Sequence, residues 1–194
     1  ELIVKNSENL KPQAHVLERL SSEEQRGRAK GGRRNVEASS ICEAIHRADT
    51  DVGQAAEDIF GIRSKEETAL KEYAQKENIW VEDPFKKFGN IPHAYGAEQN
   101  VYLNKEGTSV IKLNSATRYN SWLDFLDNIS IHNTLFPMNA YELKGFTDLS
   151  GDFTAIVEQR YIIADRITTK EDVKDDMHKK GFSLIEKNDY LNSE

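Results

Sequence analysis

The sequence predicts an α+β protein: a helical amino-terminal region, then a five-stranded antiparallel sheet carrying one helix, then the start of a further segment. Three observations predict it. Up to about residue 79 the apolar residues recur at helical spacing. From Trp80 onward they fall into short runs separated by polar turns. Between two groups of those runs lies one stretch, residues 121–133, that keeps the helical period. Strands and helix in that order pack most simply as an antiparallel sheet with the helix on one face.

Taken in order, residues 26–34 form a basic, glycine-rich run, RGRAKGGRR. It reads as a solvated loop; the alternative is a contact with nucleic acid or another anionic partner, although no aromatic residues interleave. Residues 35–48 carry Val36, Ile41 and Ile45 at helical spacing. Residues 51–60 form a shorter helix with Val52, Ala55, Ala56 and Ile59, closed by Gly61. Ser64-Lys65-Glu66-Glu67 has capping-box spacing and opens a third helix with Leu70, Tyr73 and Ala74 on one face.

The expected strands are residues 88–91, 100–103, 109–113, 141–146 and 153–159. Asn104-Lys105-Glu106-Gly107 and Leu149-Ser150-Gly151-Asp152 are the turns of two hairpins. The helix between them holds Trp122, Phe125, Leu126, Ile129 and His132. Residues 160–164 are an extended crossover. Thr168-Thr169-Lys170-Glu171 then caps a helix to Lys180, stopped by Gly181, and residues 183–190 begin a hairpin. The expected divisions are 1–79, 80–164 and 165–194.

Bulk properties exclude several classes. A chain of 194 residues has room for a real core, and 38% hydrophobic with 30% charged residues is ordinary for a protein facing water. A net charge of −7 argues against a general nucleic-acid coat protein. The single cysteine, Cys42, forms no internal disulfide. No apolar run approaches the ~18 residues of a membrane span, and the opening ELIVKNSENL has no signal-peptide pattern. A cytoplasmic location without membrane contact is the expectation. The first residue is Glu1 rather than methionine, as in a piece of a longer protein.

The chemistry centres on Val110-Ile111-Lys112-Leu113. A lysine inside an apolar strand is costly unless an anion meets it. The turn Tyr95-Gly96-Ala97-Glu98 precedes it, and glycine lets backbone N–H groups approach phosphate oxygens. In that reading Gly96 gives the close approach, Val101 covers an adenine ring and Lys112 meets the phosphates. With one glycine in place of three, an ordinary hairpin turn is the alternative. A carboxylate on the adjacent helix usually holds such a lysine. Asp124 and Asp127 lie 12 and 15 residues beyond Lys112, and Asp127 is preferred because Trp122, Phe125 and Ile129 mark the packed face beside it. The alternative is a solvated helix carboxylate. His132-Asn133 is either a ligand or base, or a cap at the helix C-terminus. The histidines at 15, 46, 93, 132 and 178 show no metal-ligand spacing.

The matching strings are Gly96-x-Glu98-x-x-Val101-Tyr102, Val110-x-Lys112-Leu113-Asn114 and His132-Asn133-x-Leu135-Phe136-Pro137, then Gly145-Phe146, Val157-Glu158-Gln159-x-Tyr161 and Gly181-Phe182. On these residues the region from about Trp80 to Leu191 resembles the serine/threonine/tyrosine protein-kinase domain of polyvalent proteins from phages and mobile elements. The resemblance implies a kinase-like small (amino-terminal) lobe and the start of a large lobe. It implies ATP with magnesium, and transfer to serine, threonine or tyrosine of an unknown protein substrate. It assigns nucleotide contacts to Gly96, Glu98, Val101, Lys112, Asp127, Glu158, Gln159 and Tyr161, with main chain pairing to the adenine edge at Glu158–Tyr161. No H-R-D-like or D-F-G-like string occurs in the chain, so no catalytic residue is assigned and phosphotransfer is expected only of a longer chain. The competing expectation is a non-catalytic interaction module with the same lobe shape.

Overall fold

The structure is a computed structural model and describes residues 22–51, 59–95, 99–163, 166–186 and 189–192. It divides into a larger unit, His15–Tyr161, and a smaller one that includes Ile162–Glu194.

The first described element of the larger unit is α1 (Ser22–Asp51), one helix of 30 residues. The loop expected over residues 26–34 is therefore helical. Each glycine of that run costs about 1 kcal/mol in a helix relative to alanine, and the following turns supply the compensation. There Arg33 pairs with Glu37 at 2.7 Å and Arg47 with Glu43 at 2.6 Å. Asn35, Ala38, Ser39 and Cys42 are buried along one side. Extending a helix from such an anchored segment avoids a new nucleation step.

The helix expected over residues 51–60 lies mostly outside the described residues, and its closing residues Ile59 to Gly61 instead open α2 (Ile59–Lys76). Gly61 therefore stops no helix, and Ser64 caps none. Glu66, Leu70 and Ala74, four residues apart, are fully buried and form the inward stripe of α2. The helix ends at Lys76, and the turn after it is made by Asn78, whose φ of 56° is left-handed. Phe88, expected to start a strand, closes the short helix α3 (Pro84–Phe88). Asp83 caps that helix by accepting from Lys86 N at 2.9 Å, and an Asp-Pro helix start outweighs the strand tendency of one phenylalanine.

Five strands follow: β1 (Ile91–Tyr95), β2 (Gln99–Leu103), β3 (Ser109–Asn114), β4 (Tyr141–Leu149) and β5 (Asp152–Arg160). The helix α4 (Trp122–Leu135) lies between β3 and β4. The strands make one antiparallel sheet in the order β1-β2-β3-β5-β4. The mixed α and β architecture matches the expectation of three strands, one helix, two strands. Both predicted turns are present. Asn104 Oδ1 accepts from Thr108 N at 2.8 Å and Ser109 N at 3.1 Å, and Ser150-Gly151 is a two-residue turn with φ of 58° and 93°.

Both faces of the sheet are covered. On one, Leu143, Phe146, Ala155 and Val157 pack against Trp122, Phe125, Leu126 and Ile129 of α4, and Ala38, Cys42, Leu70 and Ala74 of α1 and α2 join the same core. The amino-terminal helices thus share a core with the sheet. On the other face Tyr102, Ile111, Leu113 and Ile156 meet Val81, Phe85 and Phe88. The edge strand β4 is shielded where Phe146 N donates to Ile79 O at 3.2 Å and Val81 N to Phe146 O at 2.9 Å. Gly145 permits this: a Cβ there would lie 1.9 Å from Ile79 O.

The smaller unit contains α5 (Lys170–Lys179) and a hairpin of β6 (Phe182–Glu186) and β7 (Asp189–Asn192). The capping box is Thr169 with Asp172, one residue beyond the expected pair. Among the described residues no helix is long and apolar enough to cross a membrane.

Candidate nucleotide-binding site

Lys112 sits mid-strand in β3, opposite Val101 of β2 and Val157 of β5. Cross-strand partners share a face, and Val157 belongs to the core under α4, so Lys112 and Val101 stand on the α4 side. Ile111 and Leu113 point the other way. The lysine expected to meet an anion is therefore half-buried on the face that carries the helix.

Its amine donates to the Tyr141 hydroxyl at 3.0 Å and lies 4.6 Å from the centre of that ring. Tyr141 is the first residue of β4 and is held on several sides. Asn133 Nδ2 donates to Tyr141 O at 2.9 Å, and Tyr141 N donates to Asn133 Oδ1 at 2.7 Å. A side-chain amide thus pairs with the strand as a neighbouring peptide would. The His132 ring packs 4.5 Å from the Tyr141 ring, and its Nε2 lies 3.0 Å from Asn139 O. A carbonyl only accepts, so that nitrogen carries the proton. Gln159 is buried and donates to the same carbonyl at 2.8 Å. His132-Asn133 is therefore a clip between the end of α4 and the start of β4, a role distinct from both readings of the sequence.

Asp127 does not join Lys112. Phe125, Leu126, Ile129 and Trp122 point into the core, and Asp127 lies roughly 150° round the helix from their mean direction at 100° per residue. Its carboxyl is raised by partial burial and by the neighbouring charges of Glu43 and Asp124. Facing acids instead of a lysine, it is not the holder the sequence suggested. Closeness in sequence to the apolar stripe does not fix the angle from it, and that angle decides which side of α4 a carboxylate faces.

Glu158 lies opposite Ile111 and takes that face of the sheet, away from Lys112. It accepts from the Ser109 hydroxyl and pairs with Lys144 at 3.0 Å, and Lys144 also reaches Glu142 at 3.3 Å. Burial would lower the Lys144 amine, but the two carboxylates outweigh it and hold it raised. Tyr161 leaves the sheet with its N–H on Thr108 O at 3.0 Å and its ring edge-on to His93 of β1 at 5.1 Å. The crossover thereby comes alongside the first strand. Gly96 and Glu98 lie outside the described residues.

Sequence reasoning missed the residues that fix α4. Glu66 Oε2 accepts from Trp122 N at 2.8 Å, and its Oε1 accepts from Leu123 N at 3.1 Å and meets His46 Nε2 at 3.0 Å. Ser121 completes the cap by accepting from Asp124 N at 3.0 Å. Arg63 donates to Ala116 O at 2.9 Å and to Ser115 O, tying down the loop after β3. Asn35 Nδ2 reaches Leu126 O at 3.1 Å from α1. The capping-box string at Ser64–Glu67 was the available signal; Glu66 inside it does cap a helix, but α4 and not its own.

A family model described as serine/threonine/tyrosine kinase found in polyvalent proteins matches residues 63–194. The match begins at Arg63, so all but the first four residues of α2, with Arg63 and Glu66, lie within it, upstream of Trp80. Neither the curated proteins nor the solved structures return a match. With the small-lobe strand order, a lysine on the helix face of β3 and a family match over more than half its length, the chain belongs to the serine/threonine/tyrosine kinase family found in polyvalent proteins.

Proposed function

We propose that this chain carries the nucleotide-binding half of a protein-kinase domain, with ATP on the α4 face of the sheet. Lys112 meets the phosphates, Val101 lies against the base, Gly96 and Glu98 form the phosphate turn, and the main chain at the Tyr161 crossover, just past the strand-paired Glu158 and Gln159, pairs with the base edge. Transfer to a serine, threonine or tyrosine of a protein substrate is the activity this reading gives the whole protein.

One observation carries it. Lys112 is a half-buried cation whose partner among the described residues is a neutral hydroxyl, so a counter-charge is still to be supplied. A phosphate is the anion that this strand arrangement would present to it. Magnesium accompanies ATP in this chemistry by neutralising phosphate charge. Among the described residues no group of three or more histidine, cysteine or carboxylate side chains is placed to hold a metal, and no residue of this chain is assigned to it.

The test is calorimetric titration with Mg·ATP. Binding that falls at least about tenfold in Lys112→Met, a loss of one charged contact, with an unchanged melting temperature supports the reading. Equal affinity in the variant overturns it. The second reading, an interaction module, is favoured by the seat of Lys112 over the Tyr141 ring, which partly satisfies the amine without ligand. Absence of ATP binding by the wild-type chain would select it. A nucleic-acid contact through residues 26–34 is a separate proposal, tested by a steep salt dependence of DNA binding.

A further inference from the structure

Tyr141 holds more hydrogen-bonding capacity than its known contact uses. The Lys112 amine donates to its hydroxyl oxygen at 3.0 Å, which leaves the phenolic proton to point elsewhere. Among the described residues no acceptor takes that proton. The amine likewise keeps two of its three protons. The ring is not a loose surface group: His132 packs 4.5 Å from it, and both main-chain polar groups of Tyr141 are held by Asn133. A phenol and an ammonium in mutual contact, with three donor hydrogens unspent and one of the two groups rigidly placed, make an anion clamp.

We propose that Tyr141 is a phosphate-binding residue, its hydroxyl donating to the same phosphate group that Lys112 meets. The ligand class is a di- or triphosphate, and the inference rests on the proposed function for the adenine part alone. It also explains how Lys112 is positioned without a carboxylate from α4. That helix is fastened by Glu66 at its start, by Asn35 in its middle and by Asn133 at its end. Asp127 is thereby kept on the side of Glu43. A neutral partner leaves the whole charge of the amine for the phosphate, where a carboxylate would share it.

The experiment titrates the 194-residue chain and its Tyr141→Phe and Lys112→Met variants with three probes: Mg·ATP, adenosine and inorganic tripolyphosphate. Phenylalanine keeps the ring that His132 packs against, so melting temperature and adenosine affinity should hold. Loss of one charge-assisted hydrogen bond should weaken both phosphate-bearing probes about tenfold. Tyr141→Phe that binds ATP and tripolyphosphate as wild type does, while Lys112→Met loses them, overturns the inference and leaves the proposed function standing. Tripolyphosphate that binds through both residues, with no gain for ATP, supports the clamp and removes the nucleotide reading. Failure of the wild-type chain to bind either phosphate probe overturns both.

Discussion

Glu66 of α2, fully buried, accepts the main-chain N–H of Trp122 at 2.8 Å, where α4 begins. A carboxylate at a helix N-terminus meets both unpaired N–H groups and the positive end of the helix dipole. Here the carboxylate comes from another helix 56 residues away in sequence. That contact links α2 to α4 on the proposed nucleotide face. Glu66→Ala should leave one buried and one part-buried N–H group unpaired and cost about 2–4 kcal/mol of stability. Glu66→Gln, which keeps one acceptor, should cost less. Urea midpoints of the three proteins measure this, and equal midpoints would dissolve the claim.

Gly145 should tolerate no side chain. Alanine there places Cβ against Ile79 O in a backbone region with φ of 148°. Relief requires the segment at Ile79–Val81 to leave the β4 edge, so Gly145→Ala should lose more than about 3 kcal/mol or fail to fold. Thermal melting decides it; a shift of under a degree or two would contradict the close approach.

Cys42 should be chemically silent in the folded chain. It is buried, and burial, with Glu66 beside it, pushes its thiol far above the usual range. Labelling by a thiol reagent near neutral pH should be very slow without denaturant and complete in urea. Rapid labelling of the native chain would show that α1 does not stay closed on this core.

In the smaller unit, Asp172 should govern the pH response of α5. The Arg166 guanidinium holds its carboxyl far below the usual range, helped by the Thr169 main chain and hydroxyl. A depressed carboxyl adds stability above its unfolded value of about 4 and loses it as pH falls through the folded value. The α5 amides should therefore stay protected from hydrogen exchange at pH 4 and lose protection only in stronger acid. Arg166→Ala should move that loss upward in pH. An unchanged profile in the variant would count against the pair.

The two periodicities were readable in the sequence because each depends on residues close in the chain. The succession of three strands, one helix and two strands, the α4 face of Trp122, Phe125, Leu126 and Ile129, and both hairpin turns followed from local spacing and turn chemistry. What local pattern could not supply was the partner of each polar residue. Glu66 sits in a capping string but caps a distant helix. Gly31 and Gly32 carry a loop signature, but α1 runs through them under the hold of Ala38 and Cys42 downstream. Lys112 was found by its cost in an apolar strand, and its partner was missed because Tyr141 reaches it from the far side of β5. His132 and Asn133 were singled out as a string, and their work, bracing Tyr141, shows only in three dimensions.

The most direct test of the account is a residue-resolved NMR titration of the chain with Mg·ATP. The account predicts shifts centred on Val101, Lys112, Tyr141 and Tyr161, with Glu43 and Asp127 unmoved. Shifts centred elsewhere, for instance on the cavity of about 480 Å3 lined by Asp83, Lys86 and Lys105, would contradict it.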